Sequence, residues 1–443
     1  MPDQITAKNI RVHSVLKGSR RIAVPKELGI KASPILASHV PLDLKGFPNP
    51  PGKGSQRLTL TIANLLHLLK GYDIVVRYNT LKKISEVIVP GHTGLQDNLD
   101  ATLLAYIHNL VLLHGMNTMH VSEFLNALAD AHPYNPVASW ICSKPWDGKD
   151  RLPEICATLK VEDGYPDDLK NLLVEKWLLS AVAAVFSTEE FSARGVLTLQ
   201  GPQSLGKTSW IRSLANDPKL AADLILTGHH LDPGNKDSVM SAIAHWIVEI
   251  GELDSSFKKD VAMLKGFLSN PSDRFRRPYG KLDNVYRRRT VFAATVNDYN
   301  FLIDATGNTR FWTLPVVKIN YNHKIEMQQV FAQLKIRFEE DHQWWLTNAE
   351  EALLESMNKQ HRSISSMREL LEDAIDHDLI GTDGLPAYSA TTLLVKLGMD
   401  RPTNPQAREC AASLRELIGE SKRINGSTTW RVPLKDEGKF PGL

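Results

Sequence analysis

Leu197-Thr-Leu-Gln-Gly-Pro-Gln-Ser-Leu-Gly-Lys-Thr208 is the stretch of sequence that decides the fold. An apolar run leads into the pattern Gly-x-x-x-x-Gly-Lys-Thr, from Gly201 to Thr208, and the residues from Ser209 to Leu214 can open a helix. In this strand–loop–helix setting, glycine lets successive backbone N–H groups face phosphate oxygens. The stretch therefore predicts a phosphate-binding loop and a bound nucleoside triphosphate.

The loop predicts both ATP and Mg²⁺ as ligands. Lys207 supplies a positive charge for the β- and γ-phosphates, and the Thr208 hydroxyl is the predicted ligand of Mg²⁺. A glycine turn without a ligand is the alternative, which the flanking strand and helix make the weaker one. The residues predicted to contact the nucleotide are Gly201, Pro202, Gln203, Ser204, Leu205, Gly206, Lys207, Thr208 and Ser209.

The composition indicates an ordinary globular protein. The chain has 443 residues, of which 42% are hydrophobic and 23% charged, and this length predicts about two to four domains. No apolar run is long enough to span a membrane and no signal pattern opens the chain, so a soluble, cytoplasmic protein is expected. The three cysteines lack metal-ligand spacing, so a zinc site is not expected. A net charge of +2 argues against a uniformly basic protein surface.

The sequence predicts three regions, 1–140, 141–320 and 321–443. The first 60 or so residues show little periodicity, and the proline- and glycine-rich residues 46–55 are typical of a linker, so folding is expected only after it. Apolar spacing then predicts helices near 63–70, 98–113, 120–132 and 168–187, and a strand at 72–78. Four prolines between Pro133 and Pro153 indicate a domain boundary.

A second predicted strand ends in acidic residues of the kind that an ATPase uses. Trp246-Ile-Val-Glu-Ile-Gly-Glu-Leu-Asp254 is an apolar run that closes on carboxylates, as in a Walker B element. We favour Glu252 as the catalytic acid because it lies at the carboxyl end of the strand, where ligands bind in open α/β sheets. Glu249 is the alternative catalytic acid, and both are candidate partners of Mg²⁺. Two glutamates without a catalytic role remain the other interpretation.

A third strand, from Arg289 to Asn297, ends in a side chain that can orient water. The Asn297 amide offers a donor and an acceptor together, which suits a sensor of the γ-phosphate, although a turn asparagine is the alternative. Arg310 stands just before Phe311 and Trp312, which would anchor its backbone. It is a candidate arginine finger that reaches the nucleotide of a neighbouring subunit.

Positive charge concentrates between these strands. Residues 274–289 contain seven basic residues and one acid, with Phe275, Tyr279 and Tyr286 interleaved. Basic groups neutralise phosphates and aromatic rings stack on bases, so the segment suits single-stranded nucleic acid. A solvated charged face is the alternative.

Six motifs in this order resemble the virulence-associated protein E family, which comprises ATPases of phages and mobile elements similar to superfamily 3 replicative helicases. The resemblance covers about residues 140–320. The motifs are Gly201–Thr208, Trp246–Asp254, Leu264–Ser269, Asp273–Gly280, Thr295–Asn297 and Phe301–Trp312. The resemblance implies an α/β fold with an AAA+-like P-loop ATPase core of the superfamily 3 helicase type. The apolar spacing before this core predicts a helical N-terminal region.

The resemblance also implies roles for single residues. Lys207 and Thr208 match Walker A, Glu249 and Glu252 match Walker B, Asn297 matches sensor 1, and Arg310 matches the finger. Thr309 departs from the arginine of many relatives, which leaves one arginine for that role. The basic segment matches a hairpin that contacts DNA in the pore of a ring. Lys265, Arg276 and Lys281 match the family's basic segment. Together with the composition of residues 274–289, this predicts nucleic-acid binding by Lys265, Arg274, Arg276, Arg277, Tyr279 and Lys281.

The C-terminal region predicts a winged helix-turn-helix, which resembles the C-terminal modules of many replication ATPases. Helices are expected at 391–398 and at 404–419, with Asn404 as the cap and Pro405 at the first position. A basic hairpin at 422–432 is expected to turn at Asn425-Gly426. Such modules contact either DNA or protein.

These signals predict an ATP-dependent DNA helicase or replication initiator of a phage or mobile element. Its expected partners are single-stranded DNA, origin duplex, further copies of the chain in a hexameric ring, and replication proteins of the host. The alternative is a nucleotide-switched DNA-binding or assembly ATPase, in defence or regulation, that does not unwind DNA. A P-loop kinase for a small molecule is weaker, because no acceptor-site motif is present. No acidic cluster supports a primase in the N-terminal region.

Overall fold

The computed structural model describes residues 39–435, apart from 53, 55–56, 93–97, 252–260, 277–282, 300, 303–307, 360–365, 383 and 425–426. The chain divides into two compact units, Met1–Asn135 and Pro136–Leu443. None of the helices within these described ranges is long and apolar enough to cross a membrane.

In its described residues, the first unit packs three α-helices and a small sheet around one core, with a short 3-10 helix at Leu44–Gly46. Its strands lie in the order β2-β1-β3, with β1 antiparallel to β2. The predicted helices are confirmed with small changes of their ends, and the predicted strand begins three residues later than expected. The elements are α1 (Ile62–Gly71), β1 (Val75–Asn79), β2 (Ile84–Ile88), α2 (Leu99–Leu113), α3 (Val121–Asp130) and β3 (Pro133–Tyr134).

The proline- and glycine-rich stretch is part of this unit's fold, so the expectation that folding starts only after it is wrong. Phe47 is 2% exposed and lies in the core with Leu65 and Leu110. Its ring centroid is 4.6 Å from that of His67. The Asn49 N–H donates to Asn64 Oδ1 at 2.9 Å. The many proline and glycine residues of this stretch suggest a linker. One buried aromatic side chain and a few hydrogen bonds nevertheless order it.

We expect Phe47→Ala to loosen the first unit alone. Loss of a buried phenylalanine costs about 3–5 kcal/mol, so the amides of α1 and α2 should exchange with deuterium at least about a hundredfold faster. Amides of the second unit should keep their rates. Val40, which is 85% exposed, provides the control Val40→Ala. Equal exchange in the two variants would contradict a structural role for Phe47.

The second unit is built on a six-stranded sheet in the order β4-β11-β5-β10-β7-β6. The five strands from β11 to β6 are parallel, and β4 is antiparallel at one edge. The strand before the glycine-rich loop, β5, therefore lies between β11 and β10. The strands are β4 (Leu159–Val161), β5 (Val196–Gln200), β6 (Ile225–His229), β7 (Ile247–Gly251), β10 (Val291–Val296) and β11 (Phe311–Ile319).

Helices and one separate hairpin complete this part of the unit. The hairpin pairs β8 (Ser272–Phe275) with β9 (Asn284–Arg287). The helices are α4 (Pro136–Ile141), α5 (Leu152–Ala157), α6 (Asp167–Phe186), α7 (Lys207–Ser213), α8 (Pro218–Leu224), α9 (Lys236–Ile243), α10 (Val261–Ser269), α11 (Met327–Glu339) and α12 (Asn348–Asn358).

The long helix α6 is fixed to the sheet by two tryptophans. Trp177 on α6 donates its indole N–H to Phe292 O on β10 at 2.8 Å. Trp246, which directly precedes β7, donates to Ala181 O on α6 at 2.8 Å. Both side chains are fully buried. Because each ring buries a large apolar area and also satisfies its N–H, the pair sets the position of α6 against β10 and β7.

The C-terminal part of the unit has its own core, around Leu371, Leu393, Leu414 and Trp430. Its short strands lie in the order β12-β14-β13, all antiparallel. The elements are α13 (Ser366–Ala374), β12 (Ala387–Tyr388), α14 (Ala390–Lys396), α15 (Asn404–Leu417), β13 (Lys422–Ile424) and β14 (Ser427–Arg431).

The cap of α15 differs from the prediction. Thr403, not Asn404, is the N-cap residue, with φ −76° and ψ 160°. Its backbone N–H donates to the Gln406 side chain at 2.8 Å. Gln406 is the third residue of the helix, the position from which a side chain reaches back to the N-cap in a capping box. Pro405 is consequently the second helical residue. The predicted turn at Asn425-Gly426 lies outside the described residues.

Candidate functional site

The glycine-rich loop joins the carboxyl end of β5 to α7, and its two glycines are required by close packing. A Cβ on Gly201 would lie 2.4 Å from the Val316 carbonyl oxygen. Gly206 has φ 92°, and a Cβ there would lie 2.3 Å from the Tyr321 ring. Larger residues would displace β11 or the segment that follows it, so the shape of the loop depends on both positions.

Lys207 folds back onto this loop. It is 7% exposed, and its ammonium donates to Gly201 O at 2.6 Å, to Pro202 O at 2.9 Å and to Asn297 Oδ1 at 3.0 Å. Burial lowers the pKa of Lys207, and the negative charge of Glu249 opposes that shift. The structure thus brings together a partly desolvated cation and the side chain at the end of β10.

Glu249 is a buried carboxylate that reaches the same loop. It is 1% exposed and accepts hydrogen bonds from the Thr208 hydroxyl at 2.6 Å, the Thr295 hydroxyl at 2.8 Å and the Gly228 N–H at 2.9 Å. A buried carboxylate is costly unless donors surround it. Glu249 is therefore held in place beside Thr208 by three elements at once.

Sequence reasoning assigned no role to two of these donors. Thr295 lies two positions before Asn297, so both side chains lie on one face of β10, and this period of two was a usable signal. Gly228 carried no signal. It has φ 67°, at a shift of register between β6 and β7, and a Cβ on Gly251 would lie 3.1 Å from its Cα. The absence of a side chain on Gly251 lets the Gly228 backbone approach the carboxylate.

The structure leaves one predicted catalytic residue undescribed and gives another a partner away from Lys207. Glu252 lies outside the described residues. Arg310 lies just before β11, whose Phe311 pairs with Val196 at the beginning of β5, whereas the loop follows the end of β5. Four residues of strand span about 13 Å. The Arg310 Nε–H donates to Ser269 Oγ at 3.0 Å, so the side chain is bonded to the end of α10.

The basic segment divides into buried and exposed residues. Phe275 and Tyr286 are buried and stack on each other at 4.6 Å, so these two rings stabilise the hairpin instead of facing solvent. Arg288 is 3% exposed and pairs with both carboxylate oxygens of Asp273, at 2.7 and 2.8 Å. Among the predicted DNA contacts, Arg274 and Arg276 are exposed.

The other predicted DNA contacts are less accessible or not described. Lys265 is only 8% exposed, which makes it a poor candidate for a surface contact. Arg277, Tyr279 and Lys281 lie outside the described residues. The exposed positive charge that the structure describes on the hairpin strand β8 and just after it is that of Arg274 and Arg276.

The fold and this site define a mixed α/β protein with a glycine-rich loop at the carboxyl edge of a parallel sheet. Residues 141–363 match the model of the virulence-associated protein E-like domain. Since the match covers half of the chain, the protein belongs to this family, and the predicted family is confirmed.

No curated protein sequence matches the chain. Two solved structures of the NrS-1 C-terminal region, both described as A form and apo, are similar to it. One, spanning residues 305–718 of that protein, has 14% identity and a TM-score of 0.37, and the alignment covers 83% of this chain and 98% of that chain. The other has 13% identity and a TM-score of 0.35, with coverages of 84% and 99%.

Proposed function

We propose that this protein is an ATP-dependent DNA helicase or replication initiator of a phage or mobile element, with an AAA+-like P-loop core. The observation that carries the proposal is the meeting of Lys207, Thr208, Glu249 and Asn297. These side chains come from α7, β7 and the end of β10. Lys207 is hydrogen-bonded to Asn297, and Thr208 is hydrogen-bonded to Glu249, so two bonded pairs lie at a single loop. A cation, a hydroxyl, a carboxylate and an amide are the groups that phosphoryl transfer from ATP requires.

The same residues fit a magnesium ion. Thr208 and Glu249 offer oxygen donors 2.6 Å apart, which is the ligand type that Mg²⁺ prefers. When bound, the ion would neutralise charge on the phosphates. Lys207 would exchange its bonds to the loop carbonyls for phosphate oxygens. In this proposal Glu252 accepts a proton from the attacking water, and Asn297 orients that water.

We expect three substitutions to separate these roles. Lys207→Ala should lose both ATP binding and hydrolysis, because it removes the charge that faces the phosphates. Glu252→Gln should keep ATP binding and lose at least about a hundredfold in turnover, and Glu249→Gln should weaken binding of Mg·ATP. Steady-state hydrolysis and equilibrium binding measure the two effects.

Lys219→Ala is the matched control, since Lys219 is an exposed lysine on α8. If Glu252→Gln hydrolyses ATP normally and Glu249→Gln does not, Glu249 is the catalytic acid in place of Glu252. Full activity of Lys207→Ala would refute the proposed ATPase.

The position of Arg310 supports a site shared between subunits. Arg310 directly precedes the amino end of β11, whereas the loop follows the carboxyl end of the neighbouring strand β5. An arginine finger placed there acts on the nucleotide of a neighbouring copy, as in a ring. We propose a hexameric ring in which Arg310 supplies this charge.

We expect Arg310→Ala subunits to bind ATP but to hydrolyse it on the order of a thousandfold more slowly. Mixing them with Lys207→Ala subunits should restore activity, because mixed interfaces combine an intact loop with an intact finger. Ser269→Ala is the control, since it removes the intramolecular partner of Arg310 and leaves the guanidinium. Absence of rescue in mixtures shown to co-assemble would argue against a finger acting between subunits.

The hairpin of β8 and β9 is the proposed contact with single-stranded DNA. The Arg288–Asp273 pair and the Phe275–Tyr286 stack hold its two strands together, while Arg274 and Arg276 leave their charges in solvent. Exposed guanidinium groups neutralise phosphates without reading sequence, as translocation along a strand requires. For the C-terminal part, the order of helices and short strands supports a winged helix that contacts origin duplex or replication proteins.

Replacing both Arg274 and Arg276 with Ala should weaken binding of single-stranded DNA. The slope of log affinity against log salt should flatten by about 0.7 for each lost contact. The control replaces Lys144 and Lys149, two exposed lysines of the same unit, with Ala. An intact oligomer with an unchanged salt slope would exclude the hairpin as the DNA contact. Hydrolysis without strand separation in the unaltered protein would favour a nucleotide switch over a helicase.

A further inference from the structure

The contacts at the loop define which way a nucleotide would lie. Lys207 donates to Asn297 at the end of β10, and Thr208 donates to Glu249 on β7. Both strands lie on the same side of β5. The terminal phosphates of a triphosphate would therefore point toward β10 and β7, and its nucleoside would leave the loop on the opposite side, where β11 is the neighbour of β5.

The chain that follows β11 runs along α7 on that side. Tyr321 packs against Gly206 at the beginning of the helix. His323 Nε2 lies 2.9 Å from Ser213 Oγ at its end. The Ile325 carbonyl then accepts from Asn216 Nδ2 at 2.9 Å. These three contacts hold the segment 321–325 parallel to α7.

Tyr321 combines a fixed position with an open ring. One edge of the ring is so close to Gly206 that a Cβ there would lie 2.3 and 2.6 Å from two ring carbons, yet the residue is 41% exposed. The groove of about 500 Å³ beside residues 323–325 has neither Tyr321 nor a loop residue among its described wall residues, so the open part of the ring belongs to the loop side of the segment.

We propose that Tyr321 forms one wall of a nucleobase subsite, where its ring stacks on the base of the bound nucleoside triphosphate. The ribose, which joins the phosphates to the base, would lie between the loop and the ring. An aromatic ring is tolerant of base identity because every base has a π-face. Tyr321 would thus add affinity for the nucleoside and leave the phosphate contacts to Lys207 and Thr208. This subsite rests on the proposed binding of ATP.

The test compares two ligands that differ only in the base, ATP and ribose 5-triphosphate, both with Mg²⁺ and measured by calorimetry. Tyr321→Leu keeps bulk against Gly206 and removes the aromatic face, so affinity for ATP should fall about tenfold. Affinity for ribose 5-triphosphate should not change. Tyr321→Phe should bind both ligands as the unaltered protein does. Val317→Ala, which changes an exposed side chain of β11, is the control.

An equal loss for both ligands in Tyr321→Leu would overturn the subsite and leave Tyr321 as a packing residue of the loop. Unchanged ATP affinity in that variant would also overturn it. Lys207→Ala keeps the two proposals apart. If Lys207→Ala loses ATP binding and Tyr321→Leu does not, only the subsite fails, whereas full binding by Lys207→Ala means that the proposed ATPase itself fails.

Discussion

The buried carboxylate of Glu249 is the constraint on which the site depends. Left without donors, a carboxylate at this depth would cost several kcal/mol. Thr208, Thr295 and the Gly228 N–H supply those donors from α7, β10 and β6. The order of strands in the sheet, the register shift at Gly228 and the entry of α7 must all be correct at the same time for the charge to be satisfied. A single side chain thus connects the glycine-rich loop to three strands.

A buried ion pair has the same effect at the hairpin. Arg288 uses both carboxylate oxygens of Asp273 and lies 3.9 Å from the centre of the Phe267 ring. It links β8, the end of β9 and α10, so it belongs to the framework, although its sequence context is that of a basic DNA-binding segment. Removing one partner of such a pair leaves an uncompensated charge, which is far more costly than losing an exposed one. Position in the fold, more than charge, divides the arginines of this segment into structural and exposed groups.

Much of the fold was predictable because local periodicity survives in the structure. The long helix α6, the helices α1 to α3 and the strands β5, β7 and β10 lie where apolar spacing placed them. The failures have a common cause. The turn residues around Phe47 predict a linker, whereas Phe47 lies in the core. The sequence predicts Asn404 as the cap of α15, whereas Thr403 holds that position. For Phe47, packing of one side chain in the core outweighs the turn propensity of its neighbours. For Thr403, one hydrogen bond between a side chain and the backbone decides the cap.

The sequence by itself determined the glycine-rich loop and the residue types around it. The pattern Gly-x-x-x-x-Gly-Lys-Thr and the apolar runs of the strands can each be recognised from a short stretch of consecutive residues. The sequence also determined the family, through the order of its motifs. Only the tertiary structure decided that Glu249 reaches Thr208, that Arg310 lies toward the amino end of the strands, that Lys265 is nearly buried and that Tyr321 packs on Gly206. These facts depend on which strands are neighbours, and pairing between distant segments is set by packing of the whole sheet, which no local pattern encodes.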